Sequence, residues 1–559
     1  MKDFLKMLGL VAVFSLVRAA IGLHNYEIGI DDTNIYFVYV RNLHEGHGFV
    51  YYPGGPHVEG FTSFLWTLFL TLVYSIRFLP FETTVLVSCL LITASIVYLY
   101  FRFVKARFGE IYGWFIALFL VLTPGFIDWN VFSLMDLPLW ILSVSWALLL
   151  LIDGGRKKLF TVIVVLLPFI RPEGLLLSGA LVVLRMFREY AAGLTLRRAI
   201  LSNLVALLAV VTAIVIFTLF RIAYFGYPFP NTFYAKVSVS LGSNIKNGVF
   251  YFYDTVRHTS LVPAVLLAIS LVTIIRRRYW NQWRAHAGII VLVLVAGFFL
   301  VYPFLTGGDH FRYSRFFQPL FPLTALLAML LFQPWLAANK TRRTLVLPLL
   351  LVWLNLNSTD ITSFRESFAT AAGAYFSRLG PDLVRQSQLQ SEFDIAVYGR
   401  SAARHMNEVL SACDSLPSYG VVAAGGTAYM YKGEIVDVMG LNNPEMAHAD
   451  RIKAHGVKNH GSFNKQVFYR QAPDLFLSYP DPLTSELVQT DANAMAFLTK
   501  LRDPAYFINR VCQDIFNDPD FKGRYRYSRI SNGAKHFYGF VRTRHFETHC
   551  PGLTVTALD

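Results

Sequence analysis

Long apolar runs, more than any single motif, limit what this chain can fold into. Twelve stretches are candidates for crossing the hydrocarbon core of a bilayer, which is about 30 Å thick. They lie near residues 4–23, 62–79, 82–101, 111–126, 135–153, 158–171, 174–187, 199–220, 259–275, 286–304, 317–333 and 343–357. With 55% hydrophobic and only 15% charged residues among 559, the chain is predicted to be a polytopic α-helical membrane protein.

The positive charge of the chain is concentrated between these runs. A formal net charge of +14 in a soluble protein would suggest a nucleic-acid partner. Here Lys and Arg instead form short clusters between apolar stretches, at residues 156–158, 197–198, 276–278 and 340–343. Such clusters mark cytoplasmic loops and set orientation, so no nucleic-acid partner is predicted.

The same rule gives one consistent orientation from residue 154 onward. The basic loops belong inside, and the loops at 171–174, 222–258 and 304–316 then lie outside with everything after 358. The first run lacks a small-residue cleavage site, so we expect an uncleaved span. Twelve full crossings from an inside N-terminus would place both chain ends inside. We therefore predict about eleven spans, with one stretch before residue 153 incomplete or re-entrant.

The composition changes near residue 358 to that of a soluble domain. We therefore predict a transmembrane module over 1–357 and an extracytoplasmic α/β domain over 358–559. A helix pattern covers 401–411, and strand patterns cover 420–423, 435–439, 474–478, 525–530 and 536–541. Among Cys413, Cys512 and Cys550, one pair could form a disulfide outside the cytoplasm.

Two adjacent carboxylates, Asp31 and Asp32, begin the polar part of the first outer loop, residues 24–61. Carboxylates at a membrane surface are costly unless they are solvated or functional. As a structural alternative, Asp31 would cap the following helix and Asp32 would be solvated. A cap needs one such residue, and it leaves the Gly-, His- and Pro-rich run 45–60 unexplained. The pair therefore favours a functional role.

A positioned aspartate is suited to deprotonating a hydroxyl that attacks a sugar carried on a lipid phosphate, a contribution of about 10²–10⁴-fold. The leaving phosphate needs cations or hydrogen-bond donors rather than a proton. The other outer loops supply such groups: Arg171 and Glu173; Lys236; and Asp309, His310, Arg312 and Arg315. Interfacial anchoring is the structural alternative for each cation. Their location on the same side as the two aspartates favours a shared anionic ligand.

Two further features carry little chemistry. His44, His47 and His57 match no metal-ligand spacing, so no metal and no other cofactor is predicted, although a divalent ion is chemically compatible with nearby acids. Gly425-Gly426 after a short strand pattern is too small a motif to predict a nucleotide site.

The first loop resembles that of the mycobacterial terminal arabinofuranosyltransferases and their bacterial relatives, in the GT-C superfamily of polyprenyl-phosphate-sugar glycosyltransferases. The matching segments are Asp31-Asp32, Tyr36, Arg41-Asn42-Leu43, Gly46-His47-Gly48 and Val58-Glu59-Gly60-Phe61-Thr62-Ser63. Later segments follow in the family's order: Ser133–Asp136, Arg171–Gly174, Pro230–Lys236, Gly307–Asp309 with Arg315-Phe316 and Pro319, then Val436–Asn442 and His460-Gly461. One departure is Leu134-Met135-Asp136, where the family usually has Gly-Leu-Glu.

This resemblance implies a GT-C membrane module with a periplasmic C-terminal domain in the cytoplasmic (inner) membrane. It implies an inverting transfer to a glycan or lipid acceptor, with decaprenyl-phosphate-linked arabinofuranose as one candidate donor. We predict Asp31 as the base and Asp32 as its orienting or acceptor-binding neighbour. Substrate-binding roles are predicted for Tyr36, Arg41, His47, Glu59, Thr62, Ser63, Asp136, Arg171, Glu173, Asn231, Tyr234, Lys236, Asp309, His310, Arg312 and Arg315.

Two other classes of protein fit parts of the sequence. A transporter or flippase of lipid-linked saccharides would have polar or broken helices near the membrane midplane. The runs from residue 199 onward contain almost no ionisable residue in their interiors. A non-catalytic assembly protein would leave the aspartate pair unexplained. The sequence therefore favours the glycosyltransferase.

Overall fold

Within the described residues, the apolar runs form helices and the polar C-terminal region forms a mixed α/β layer. The structure, a computed structural model, describes residues 1–76, 78–123, 125–258, 261–311, 313–338, 389–450, 460–479 and 490–559. The predicted span at 343–357 and the predicted domain boundary near 358 lie outside these ranges.

In the described part of the chain before residue 339, the regular elements are helices, joined by loops. Its helices are α1 (Lys2–Gly22), α2 (Asp31–His44), α3 (Phe64–Tyr74), α4 (Phe81–Phe108), α5 (Glu110–Leu122), α6 (Leu137–Asp153), α7 (Lys157–Ile170), α8 (Gly174–Ala191), α9 (Leu196–Phe225), α10 (Asn231–Lys236), α11 (Leu241–His258), α12 (Leu261–Arg276), α13 (Ala287–Thr306) and α14 (Leu320–Ala337). Single turns occur at Tyr26–Ile28, Asp128–Phe132, Tyr279–Gln282 and Arg315–Phe317.

Several of these helices have the length and composition of membrane spans. Within the described residues, four qualify by both measures: Phe81–Phe108, Leu196–Phe225, Ala287–Thr306 and Arg315–Gln333. Shorter apolar helices such as α3, α5 and α6 accompany them. These helices support a membrane protein, and the number of about eleven crossings stays a prediction.

Helix α2 lies in the first long loop, residues 24–61, and carries the aspartate pair in its first turn. Most of its side chains are buried, because it packs against α3 and also against two helices of the C-terminal region. Neighbouring residues on a helix point about 100° apart. Asp31 and Asp32 therefore face different surroundings.

The C-terminal region forms one six-stranded sheet with helices around it. The strands are β1 (Tyr419–Val421), β2 (Ile435–Asp437), β3 (Leu475–Tyr479), β4 (Arg526–Asn532), β5 (Lys535–Val541) and β6 (Thr554–Ala557), in the order β2-β1-β3-β5-β4-β6. Strands β2, β1 and β3 are parallel, and the pairings of β3 with β5, β5 with β4 and β4 with β6 are antiparallel. Five of these strands overlap the five predicted patterns, and β6 was not predicted.

Eight helices of the C-terminal region surround the sheet in the described ranges. They are α15 (Gln390–Val409), α16 (Gly426–Met430), α17 (Pro444–Ala449), α18 (Lys465–Gln471), α19 (Asp491–Arg502), α20 (Phe507–Val511), α21 (Pro519–Arg524) and α22 (Thr543–His549). The longest, α15, extends beyond the predicted helix 401–411 toward the N-terminus and packs on α2 and α16.

The sheet domain is joined to the helical part by buried hydrogen bonds. Nδ2 of Asn231, at the start of α10, donates to the carbonyls of Gly440 (2.7 Å) and Leu441 (2.9 Å). The hydroxyl of Tyr39 in α2 donates to Oδ1 of Asn442 at 2.9 Å, and the hydroxyl of Ser462 donates to a carbonyl of α10. Because buried polar groups left unpaired cost free energy, these bonds fix the two parts in one arrangement.

Cys413 and Cys550 form a disulfide that joins the end of α15 to the segment before β6. The two cysteines are 137 residues apart, so the bridge restricts a long loop of the unfolded domain. The sequence had left open which pair would form.

Removing this disulfide is expected to destabilise the domain by about 2–5 kcal/mol. Thermal unfolding of the purified protein with and without reductant should show the loss as a lower midpoint. The double variant Cys413→Ser/Cys550→Ser should match reduced wild type and should not respond to reductant. A reductant-sensitive double variant would mean that another bond is being measured.

Candidate active site

A pocket that is partly open to solvent lies at the junction of the first long loop, three further loops between the apolar helices and the sheet domain. It brings together residues from α2, the start of α6, the α7–α8 turn, α10, the end of α13 and the loop before α14. Among the residues predicted from the sequence, those that line the pocket are Asp32, Tyr36, Thr62, Asp136, Arg171, Glu173, Lys236, Asp309 and Arg315. The sheet domain contributes Leu441.

Asp32 lies between two cations on the wall of this pocket. Nζ of Lys236 is 3.6 Å from its Oδ2, and a guanidinium nitrogen of Arg315 is 3.9 Å from the same oxygen. Burial alone would raise the pKa of Asp32, but Lys236, Arg315 and His310 outweigh it and hold the pKa below its ordinary value. Asp32 is therefore ionised at neutral pH.

Arg315 is buried and only partly satisfied. One of its terminal nitrogens lies 2.5 Å from Asp309, and its side chain is 7% exposed. Its Nε has no hydrogen-bond partner in the part of the chain that the structure describes. A buried guanidinium donor without a partner is costly, so this position is suited to an incoming anion.

Asp31 faces away from the pocket, toward the sheet domain. Its two carboxylate oxygens accept hydrogen bonds from the backbone N–H groups of Gly425 (2.9 Å) and Gly426 (2.8 Å). Burial raises the pKa of Asp31 to about 6, although these two bonds act in the opposite direction. The helix-cap alternative for Asp31 is not observed, since α2 has no side-chain cap.

The two glycines are required by this close approach. A Cβ atom on Gly425 would lie 1.8 Å from the backbone oxygen of Asp31, and one on Gly426 would lie 2.2 Å from the carbonyl oxygen of Ala396. No side chain fits at either position without moving backbone atoms. The Gly425-Gly426 pair therefore holds the start of α2, and through it the position of Asp32.

A second charged group lines the inner part of the pocket. Arg171 contacts Oδ2 of Asp136 at 3.0 Å and donates from Nε to Glu173 at 2.5 Å. All three side chains are at most 5% exposed. Two carboxylates already neutralise Arg171, so the group has a formal charge of −1. Among the described residues, Oδ1 of Asp136 has no hydrogen-bond partner.

The other predicted residues lie outside the pocket lining, most of them in contacts that support it. Glu59 pairs with Arg221, which the sequence did not single out. Ser63 caps α3, Asn231 binds the sheet domain, and His310 lies 3.3 Å from Asp309. Arg41 donates to the carbonyl of Tyr429 in α16, and His47 lies near Glu45 on the surface. The ring of Tyr234 packs against the ring of His448 in a tilted arrangement. Arg312 lies outside the described residues.

Some groups near the pocket were not predicted from the sequence. Tyr302 and Phe316 add aromatic surface to the lining. Glu392, in the first turn of α15, interacts electrostatically with His310, Asp32, Asp31 and Asp309. Within the described ranges, no group of three or more His, Cys, Asp or Glu side chains is arranged to hold a metal ion.

Comparison with known proteins identifies a shared fold. No family model matches the chain, and no curated protein matches its sequence. The chain has the fold of ArnT from Cupriavidus metallidurans. The crystal structure of ArnT bound to undecaprenyl phosphate has a TM-score of 0.50 and 12% identity, over 80% of this chain and 88% of that chain.

Two further solved structures match with lower TM-scores. Apo ArnT has a TM-score of 0.46 and 14% identity, over 80% of this chain and 88% of ArnT. The apo oligosaccharyltransferase of Archaeoglobus fulgidus has a TM-score of 0.49 and 9% identity, over 96% of this chain and 74% of that chain. The likeness to ArnT supports the GT-C fold predicted from the sequence. The arabinofuranosyltransferase family stays a prediction.

Proposed function

We propose that the protein is a GT-C glycosyltransferase that transfers a sugar from a polyprenyl-phosphate carrier to an extracytoplasmic glycan or lipid acceptor. The observation that carries this proposal is the position of Asp32 between Lys236 and Arg315 on the wall of one pocket. A base and two cations in contact are what the transfer requires.

In this proposal Lys236 and Arg315 bind the donor phosphate. In the protein without donor, both cations contact the carboxylate of Asp32, and Arg315 also forms an ion pair with Asp309. An entering phosphate would compete with Asp32 for both cations and with Asp309 for Arg315. Since those cations hold the pKa of Asp32 low, partial loss of them would raise that pKa and make Asp32 a stronger base.

The bond changes follow from this arrangement. Asp32 takes the proton of the acceptor hydroxyl as that oxygen forms a bond to the anomeric carbon. The bond between that carbon and the phosphate oxygen breaks, and the electron pair leaves with the polyprenyl phosphate, which Lys236 and Arg315 stabilise. Attack opposite the leaving group inverts the anomeric centre. Asp31 takes the role of a positioning residue, in place of the base predicted from the sequence, because it lies outside the pocket lining.

The inner part of the pocket is suited to an uncharged sugar. The group formed by Asp136, Arg171 and Glu173 is net negative, and Asp136 retains an oxygen that can accept from a sugar hydroxyl. Tyr302 and Phe316 add apolar faces for the ring. Arabinofuranose fits these requirements, whereas a sugar carboxylate would be repelled by the two acids.

Two observations support the carrier and the compartment. ArnT, which has the same fold, has been crystallised with undecaprenyl phosphate. The Cys413–Cys550 disulfide is suited to a periplasmic domain. We propose the cytoplasmic (inner) membrane, with the pocket and the sheet domain on the periplasmic side.

The test is transfer by the full chain in proteoliposomes. We expect synthetic decaprenyl-phosphoryl arabinofuranose and an octyl arabinofuranoside acceptor to give an elongated glycoside and free decaprenyl phosphate, both measured by mass spectrometry. Decaprenyl-phosphoryl mannose and glucose test the choice of sugar. Absence of transfer from all three donors, together with absence of decaprenyl-phosphate binding, would overturn the proposal.

Lys236→Met is expected to weaken donor binding. Hydrogen bonds to charged groups contribute about 1.5–3 kcal/mol, which corresponds to an increase in donor KM of roughly 10- to 150-fold. Lys246→Met, an exposed lysine on α11, is the matched control and should leave donor KM unchanged. Equal effects of the two substitutions would indicate general surface attraction of the anionic lipid.

A further inference from the structure

Asp136 stands at the N-cap position of α6, but its side chain does not cap the helix. An aspartate at this position ordinarily accepts a hydrogen bond from a backbone N–H of the first turn. Here the carboxylate belongs to the lining of the pocket, where its Oδ2 binds Arg171 at 3.0 Å. The turn before it is held by the hydroxyl of Thr33, which donates to the carbonyl of Ser133. Helix capping therefore does not account for this residue.

Neutralisation of Arg171 does not account for Asp136 either. Nε of Arg171 already donates to Glu173 at 2.5 Å, and one carboxylate is enough to balance one guanidinium. The second carboxylate gives the buried group its formal charge of −1. Asp136 is 1% exposed, and its Oδ1 has no hydrogen-bond partner among the described residues. A buried carboxylate oxygen without a partner is costly, so this atom is suited to a ligand that donates a hydrogen bond.

The donor sugar is the ligand that this position can reach. The Cζ atoms of Arg171 and Arg315 lie 5.6 Å and 5.4 Å from the centre of the same ring, that of Phe316. A sugar whose phosphate is bound at Arg315 and Lys236 therefore needs to extend only past that ring to meet the group of Asp136, which lines the same pocket. A phosphate would be repelled by this net negative group, whereas a sugar hydroxyl can donate to its free oxygen.

We propose that Asp136 is a specificity-determining residue: its Oδ1 accepts a hydrogen bond from one hydroxyl of the donor sugar, and the enzyme selects donors that carry this hydroxyl. This inference rests on the proposed glycosyltransferase function and deepens it, since the charge of the group alone excludes only acidic sugars. A site that binds a hydroxyl with a buried polar group discriminates against a sugar without it, because the buried group is then left unpaired. Arg171 is a positioning residue, because it orients the carboxylate through Oδ2.

The test compares donors that differ by one hydroxyl, with the full chain in proteoliposomes. Decaprenyl-phosphoryl arabinofuranose and its 2-deoxy, 3-deoxy and 5-deoxy forms are offered with octyl arabinofuranoside as acceptor, and kcat/KM is measured for each donor. The discrimination factor is the ratio of kcat/KM for the parent donor to kcat/KM for a deoxy donor. Because removal of a hydroxyl also changes the intrinsic reactivity of the sugar, the factor in wild type is compared with the factor in Asp136→Ala.

For one deoxy donor, the factor is expected to be roughly 10- to 150-fold larger in wild type than in Asp136→Ala, the range for a hydrogen bond to a charged group. For the other two donors, the factors of the two proteins should agree. Asp136→Asn keeps the shape of the side chain and should give an intermediate factor for the same donor, because a neutral amide forms a weaker hydrogen bond. Asp153→Ala is the matched control, since Asp153 lies at the other end of α6 in a surface ion pair with Arg107. It should keep the wild-type factors.

Equal factors in wild type and Asp136→Ala for all three deoxy donors would overturn the inference, while transfer of the parent sugar by wild type would leave the glycosyltransferase standing. A uniform loss of kcat/KM for all four donors in Asp136→Ala gives such equal factors, and it would assign Asp136 to the stability of the pocket alone. Absence of transfer by wild type from every donor would remove the inference together with the proposed function on which it rests.

Discussion

Asp32→Asn is expected to lower the rate of transfer by about 10²–10⁴-fold, the range for loss of a general base. The substitution keeps the shape of the side chain that lies beside Lys236 and Arg315. Binding of decaprenyl phosphate should be retained or become tighter, because one negative charge leaves the phosphate site. Transfer at saturating donor and direct lipid binding measure the two effects separately.

Asp31→Asn is the matched comparison at the neighbouring position. Its amide can accept only one of the two N–H bonds from Gly425 and Gly426 and places a donor against the other. The free energy of unfolding should fall by about 1.5–3 kcal/mol, with a smaller loss of rate than in Asp32→Asn. An inactive Asp31→Asn beside a nearly normal Asp32→Asn would restore Asp31 as the base.

The pH dependence of kcat/KM distinguishes the two aspartates without mutation. This ratio reports the free enzyme, in which the cations hold the pKa of Asp32 below its ordinary value. With Asp32 as base, activity should stay flat as the pH falls and decline only below about 4, near the unperturbed aspartate pKa. With Asp31 as base, the decline should centre near the pKa of about 6 that burial gives to that residue.

Glu59→Ala is expected to destabilise the protein by about 3–5 kcal/mol, the usual cost of breaking a buried ion pair from one side. Two guanidinium nitrogens of Arg221 bind the two carboxylate oxygens of Glu59 at 2.8 Å each. Both side chains are at most 2% exposed. Burial raises the pKa of Glu59 to about 7 and Arg221 opposes the rise. Removing the carboxylate leaves a buried cation at the end of an apolar helix.

Loss of this ion pair should perturb the pocket as well as lower the stability of the protein. Glu59 precedes Gly60, Phe61 and Thr62 of the pocket lining, and its carbonyl accepts from the N–H of Asn231 at the start of α10. The double variant Glu59→Leu/Arg221→Leu should recover much of the lost stability, because apolar replacements remove both desolvated charges. Thermal unfolding of wild type, the two single variants and the double variant completes a double-mutant cycle. A double variant less stable than either single one would contradict this account.

Local patterns accounted for most of the fold. The apolar runs and strand patterns are short-range signals, and helices α3–α9 and strands β1–β5 lie close to where those signals were found. Strand β6 was missed because its sequence, TVTA, is short and mostly exposed. The N-terminal extension of α15 was missed because its first turns gain their stability from contacts with α2, which no local pattern contains.

For the candidate site, sequence reasoning grouped residues that the structure brings together, but it did not distinguish their separate surroundings. The order of the polar segments along the chain, together with their predicted location on one side of the membrane, was enough to group Asp32, Lys236 and Arg315. The difference between Asp31 and Asp32 depends on Gly425 and Gly426, which lie 394 and 395 residues further along the chain than Asp31. The position of Glu392 depends on the docking of α15 against α2. Arg171 illustrates the same limit, because its two carboxylate partners were not foreseen as neutralising it.

The bonds between Gly425-Gly426 and Asp31 have a consequence for how chains of this fold can change by substitution. The two halves of the chain cannot be exchanged between relatives as independent modules, since a hybrid would need a side-chain-free dipeptide in register with the first loop of the other parent. Substitutions on either side must therefore be inherited together.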